Sequence, residues 1–186
     1  MGKKEYFLSL AVEEAKKAFR KGEVPIGCVI TLRGEVIAKA HNRVEELSDI
    51  TAHAERLAIS EASKRVGIKT LRECEIYVTL EPCPMCAGAI ALAGFKKLYF
   101  GAYNLKHGAI VSRFFIAEEY NIPWEHLPCK ECSQLLEEFF KGLRKGERFS
   151  LKGGKDLKSF PSTGGKFEKW VFYASRSRLE HRRLRK

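Results

Sequence analysis

Thr51-Ala52-His53-Ala54-Glu55 and, beyond a strand-like run, Glu81-Pro82-Cys83-Pro84-Met85-Cys86 decide how this chain is read. One imidazole and two thiolates give three protein ligands for a zinc ion and leave the fourth tetrahedral position to water, the make-up of a catalytic rather than a structural site. A bound divalent charge lowers the pKa of that water towards neutrality, so a nucleophile exists at physiological pH. Glu55 is not needed to complete the ligand set. Its natural task is to move protons between that water and a substrate. A structural zinc site closes its shell with a fourth Cys or His and has no use for such a carboxylate. The candidate site is therefore His53, Cys83 and Cys86 around one zinc ion per chain, with Glu55 as the proton carrier.

Local chemistry predicts how these residues are presented. Pro84 suits the first position of a helix with Cys83 just before it. A helix from there to about Ala93 puts Cys83 and Cys86 three apart, on neighbouring positions of one face. Both sulfurs then lie at a helix N-terminus, where unpaired N–H groups favour the thiolate. Thr51 is expected to cap a second helix, from Ala52 to about Arg65, with His53 and Glu55 in its first turn. Residues two apart do not share a helical face, so that arrangement makes the two side chains approach from different sides of the turn.

Outward from the motif, helices and strands alternate. Phe7, Leu10, Ala11, Ala15, Ala18 and Phe19 recur at helical spacing within Tyr6 to Lys21, and Gly22 is a stop signal. Ile26 to Leu32 and Glu35 to Ala40 read as a hairpin around Arg33-Gly34. Strands are expected at Glu75 to Leu80 and Lys96 to Gly101, with a weaker apolar stretch from Ala109 to Ile116 and a last helix from about Glu131 to Leu143. This order predicts an α/β fold, a three-layer α/β/α sandwich around a central mixed sheet.

At 186 residues the chain is long enough for one substantial core. No run approaches the roughly 18 apolar residues of a membrane span, and the N-terminus lacks an apolar signal core. Four further cysteines (Cys28, Cys74, Cys129 and Cys132) beside a metal site suit a reducing compartment, so a cytoplasmic protein is expected. The charge is unevenly placed. Residues 1–140 carry 19 basic and 19 acidic side chains and residues 141–186 carry 15 and 4, so the whole net charge of +11 lies at the C-terminal end. The chain is thus divided into a zinc-dependent domain, residues 1–145, and a basic extension, residues 146–186. Phe167, Trp170, Phe172 and Tyr173 precede the basic run Arg182-Arg183-Leu184-Arg185-Lys186 there. Cations interleaved with aromatics suit phosphates and unpaired bases. A solvated, disordered tail is the plain alternative.

The H-x-E…P-C-x-x-C arrangement is that of zinc-dependent nucleobase deaminases. The wider sequence resembles the bacterial tRNA adenosine deaminases over roughly residues 5–145. The similar stretches are Glu23-Val24-Pro25-Ile26-Gly27, Ala40-His41-Asn42, the His53 and Cys83 motifs with Tyr77-Val78-Thr79-Leu80 before the latter, Met85-Cys86-Ala87-Gly88-Ala89, and Leu135 to Phe140. The resemblance implies a cytidine-deaminase-like fold, a homodimer with active sites near the interface, and hydrolytic conversion of the wobble adenosine of a tRNA anticodon loop to inosine. It also implies that Asn42 hydrogen-bonds the flipped base, with Ile26, Ala54 and Leu80 also contacting the substrate. Two segments depart from the family pattern. Tyr103-Asn104-Leu105-Lys106-His107-Gly108 stands where Arg-Asp-x-Lys-x-Gly is usual, and Asn121-Ile122-Pro123-Trp124 where Asn-His-Arg-Val is common.

Two other functions fit the motifs. One is deamination of a free nucleobase or nucleoside such as guanine or cytosine. The other is a non-catalytic RNA-binding subunit, against which the presence of Glu55 counts. Cys129-x-x-Cys132 has no second ligand pair at zinc-site spacing and reads as packing at the start of the last helix. His107 reads as a solvated loop residue, Asn42 alternatively as a turn residue, and Trp124 with Phe114-Phe115 as core or subunit-contact aromatics.

Overall fold

The computed structural model describes residues 2–145, so the basic extension read from the sequence lies outside the described residues. Five strands form one mixed sheet. They are β1 (Gly27–Leu32), β2 (Glu35–His41), β3 (Cys74–Leu80), β4 (Lys97–Ala102) and β5 (Trp124–His126), in the order β2-β1-β3-β4-β5. β1 runs antiparallel to β2 and β3, whereas β3, β4 and β5 are mutually parallel. Helices α1 (Lys3–Arg20), α2 (Val44–Leu47), α3 (Ala54–Val66), α4 (Pro84–Ala93), α5 (Ile116–Glu119) and α6 (Lys130–Arg144) complete it, with a 3-10 turn at Ile68–Glu73.

Strand alternation sorts the core into two layers. Cys28, Ile30, Ile76, Val78, Leu98 and Phe100 point to one face, where Ala54, Ala58 and Ala62 of α3 and Ala87 and Ile90 of α4 meet them. Val29, Tyr77 and Tyr99 point to the other face and pack on Phe7, Leu8 and Ala11 of α1. The helix α6 joins α1 on that second face through Cys132 and Val12. The expected three-layer sandwich around a mixed sheet is therefore the observed one.

Several boundaries differ from the sequence reading, each for a local reason. The hairpin turn is as expected, since Arg33 and Gly34 both adopt positive φ, 52° and 85°, as a tight two-residue hairpin requires. The first helix begins earlier, at Lys3. Gly27 is fixed by close approach of that helix, because a Cβ there would run into the Ala11 carbonyl and lie 2.6 Å from the Ala15 amide. The apolar stretch Ala109 to Ile116 forms turns that lead into α5, which starts at Ile116. The three-residue β5 gave too short a pattern to be read. It is held at the sheet edge by Glu125, which pairs with Lys4 at 2.9 Å and Lys97 at 2.7 Å. Trp124 lies on that edge strand, half-exposed, with its ring 5.7 Å from Phe100. Phe114 and Phe115 are exposed at 45% and 40%, so they are not core residues.

Glu14, on α1, is buried with its carboxylate 2.9 Å from His41 Nδ1 and 2.6 Å from Lys17 Nζ. Burial would raise its pKa, but the hydrogen bonds with His41 and Lys17 outweigh it and hold the carboxyl down at about 2. A carboxyl depressed in the folded state adds stability above its ordinary value of 4.5 and loses it as pH falls towards 2. Glu14→Gln should therefore cost about 1.5–3 kcal/mol in urea unfolding at pH 7. The gap to the parent should close between about pH 4.5 and pH 2, and a gap that stays constant across this window would refute the assignment.

Candidate active site

Two helix N-termini converge on one face of the sheet. Cys83 is the N-cap of α4, with extended backbone (φ −73°, ψ 170°), and Pro84 takes the first helical position. His53 is the N-cap of α3, also extended (φ −76°, ψ 150°), and the helix starts at Ala54. This corrects the expectation that Thr51 caps a helix beginning at Ala52. Thr51 instead donates both its N–H and its hydroxyl to Asp49 Oδ1, at 2.8 and 2.6 Å, closing a turn ahead of the helix. With His53 outside the helix and Glu55 at its second position, the two side chains no longer have to share a helical face.

The donor geometry suits a metal. His53 Nδ1 lies 3.6 Å from Cys83 Sγ and 3.6 Å from Cys86 Sγ. Tetrahedral zinc with Zn–S of about 2.3 Å and Zn–N of about 2.0–2.1 Å requires S···N edges of about 3.6 Å. All three donor atoms lie within 4.8 Å of one another, and no other group of three His, Cys, Asp or Glu among the described residues is so placed. Cys129 and Cys132 are not a second centre of that kind. Cys129 Sγ accepts the Cys132 N–H at 3.3 Å and caps α6, and Cys132 is buried, as packing at the start of that helix.

Electrostatics single out the same group. The Cys83 thiol is held down at about 4, first by its hydrogen bond with Cys86 and then by that with His53. The hydrogen bond with Cys83, and after it the charges of Glu55 and Cys83, raise the His53 imidazole. Glu55 is 3% exposed, and burial followed by the charge of Cys83 pushes its carboxyl up to about 7. Its Oε2 has no hydrogen-bond partner. A buried carboxylate oxygen left bare beside three metal donors is costly in a structural site. It is what a proton carrier needs.

The other candidates are placed as follows. Asn42 is buried at the end of β2, and its Oδ1 accepts the Ala54 N–H at 2.9 Å. It thereby supplies the cap that Thr51 does not, and it ties the end of β2 to the site. Ala54 is fully buried. Ile26 is half-buried against the same core layer as α3 and α4. Leu80 is half-buried at the end of β3, and its apolar contacts are with Val12, Ala102 and Cys132 on the opposite side of the sheet. Glu81, for which the motif implies no role of its own, is almost completely buried and organises the segment beside Cys83. Its donors lie 23 to 31 residues away, and no local pattern announces them.

Comparison with known proteins agrees with this geometry. Residues 1–102 match the family model "Cytidine and deoxycytidylate deaminase zinc-binding region". A tRNA-specific adenosine deaminase of Aquifex aeolicus is 55% identical over 145 residues, which is 76% of this chain and 96% of that protein. One from Bacillus subtilis is 43% identical over 157 residues, covering 82% of this chain and 98% of the relative. A solved structure from studies of A-to-I editing by tRNA:A34 deaminases at the wobble position of transfer RNA is also similar. It has a TM-score of 0.65 and 42% identity, and covers 71% of this chain and 99% of that one. The chain belongs to the zinc-binding cytidine and deoxycytidylate deaminase family and, within it, to the tRNA-specific adenosine deaminases.

Proposed function

We propose that the chain hydrolyses the wobble adenosine of a tRNA anticodon loop to inosine, releasing ammonia. The observation that carries the chemistry is the buried Glu55 carboxylate, its Oε2 unpaired, beside the His53, Cys83 and Cys86 donors. A zinc ion held by those donors supplies a water acidic enough to attack at neutral pH. Glu55 takes a proton from the attacking water and delivers it to N1 of adenine. It then helps to protonate the amine that leaves C6. Asn42 has its Oδ1 committed to Ala54, so its side-chain N–H groups are left to face the base, with Ile26 and Ala54 as the further substrate contacts; Leu80, expected among them, packs instead on Val12, Ala102 and Cys132 across the sheet. An anticodon-loop nucleotide reaches the metal at lower cost than a paired one, because it is already unpaired and has only its stacking to give up.

The catalytic domain is taken as residues 1–145, and the extension 146–186 as a separate basic segment. Six free cysteines suit a cytoplasmic setting. Among the described residues no helix is long and apolar enough to cross a membrane. A homodimer is supported by α4. Its ten residues, Pro-Met-Cys-Ala-Gly-Ala-Ile-Ala-Leu-Ala, contain no charged side chain. Cys86, Ala87 and Ile90 are buried against the sheet, yet Met85 is 38% and Leu92 87% exposed. A helix that is apolar all round calls for cover on both sides, and a second copy of the chain is the cover proposed.

Inosine mapping on an anticodon stem-loop, beside free adenosine, guanine and cytosine, tests the substrate. Activity on a free base but not on the stem-loop would overturn the assignment. Glu55→Ala should abolish inosine formation while keeping about one zinc per chain; substantial residual turnover would remove Glu55 from the mechanism.

Cys83→Ser and Cys86→Ser should lose zinc and activity together, whereas Cys129→Ser and Cys132→Ser should keep full zinc content. Elemental analysis reads both. Leu92→Lys should shift a dimer towards monomer in sedimentation, and a parent protein that is itself monomeric would refute the α4 interface.

A further inference from the structure

The proposed chemistry leaves Glu81 unused. It stands between the end of β3 and Cys83 and is 1% exposed. Its hydrogen-bond partners are all uncharged. Oε1 accepts the N–H groups of Ile110, Val111 and Ser112 at 3.1, 2.8 and 2.9 Å. Oε2 accepts the Asn104 N–H at 3.1 Å and the Ser112 hydroxyl. Burying a carboxylate without a cation is expensive, and here four backbone amides and one hydroxyl take the place of a counter-ion.

The donors belong to one segment, residues 104–112, which is fastened again next door. Pro82 O accepts the Ala109 N–H at 2.8 Å, and Asn104 Oδ1 accepts the His107 N–H at 3.0 Å. Gly108 passes so near that a Cβ would collide with the Glu81 carboxylate. The inner side of the segment is sealed, with Ala109 and Ile110 buried, while Tyr103, Leu105 and Phe114 around it are about half exposed. The segment is thus built around a carboxylate two residues from a metal donor, and it turns exposed side chains outwards.

We propose that Glu81 is a positioning residue that holds residues 104–112 as a fixed wall beside the His53, Cys83 and Cys86 site, and through that wall sets how tightly the RNA is bound. This rests on the reading of the chain as a tRNA deaminase. Glu81 touches neither the base nor the reacting atoms in this scheme. The group it serves is substrate binding, not proton transfer.

Glu81→Gln tests it. A carboxamide offers one oxygen where two are used, and its NH2 must face amide N–H groups, donor against donor. KM for the anticodon stem-loop should rise about tenfold while kcat stays within about threefold. Zinc content should be unchanged, and hydrogen exchange should quicken in 104–112 but not in β1, β3 or β4. Ser112→Ala, which removes one donor and keeps the four amides, should raise KM in the same direction by less. Loss of folded protein alone would lower apparent kcat and leave KM where it was. A KM unchanged in both variants, or a fall in kcat without a rise in KM, overturns the proposal. Should Glu81→Gln not fold, an unchanged KM in Ser112→Ala does so. If the parent shows no deamination of the stem-loop, the functional reading fails, and the wall is judged by exchange alone. Unaltered exchange of 104–112 in Glu81→Gln then overturns it.

Discussion

The site depends on two helix N-termini being brought together over one face of the sheet. β3 and β4 are parallel neighbours, so the chain between them must cross that face as a helix, and α4 is that crossover. α3 lies on the same face over β1 and β2, seated through Ala54, Ala58 and Ala62, whose small side chains let it sit close to the sheet. Only with both helices so near can His53 and Cys83, each an N-cap with extended backbone, aim their donors at a common point. The partial positive charge at both N-termini also favours the thiolate forms a metal needs.

What was legible in the sequence is what rests on local chemistry. Pro84 after Cys83 marked the start of α4, alternation marked β1, β3 and β4, and the His53 and Cys83 motifs named the donor set. What was hidden is the long-range satisfaction of backbone groups. Asn42 caps α3 from 12 residues away, Glu23 accepts the first amides of α2 from 22 and 23 residues away, and Glu81 gathers amides from up to 31 residues ahead. Thr51 looked like the cap because Thr is a good one, but Asp49 claimed its side chain first. β5 escaped notice because three residues carry too little periodicity, and its pairing with β4 supplies the order that its own sequence lacks.

These hidden contacts share one geometry. Each joins a carboxylate or carboxamide near the end of a strand or helix to backbone amides of a segment further along the chain. Asn42 and Glu81 flank the donor set on either side, one behind His53 and the other ahead of Cys83. The site is therefore framed by hydrogen bonds from backbone amides rather than by ion pairs, to a neutral carboxamide at Asn42 and to a carboxylate at Glu81.

The edge strands carry a consequence for how copies of this chain meet. An open sheet edge is a template for strand addition and runaway association. Here β5 is only three residues long, and Glu125 at its centre is gripped by Lys4 and Lys97. At the far edge, Arg65 donates to the Ile37 carbonyl of β2 at 3.0 Å. Both borders of the sheet are blunted by charge, which guards the chain against indefinite fibre-like stacking through its strand edges.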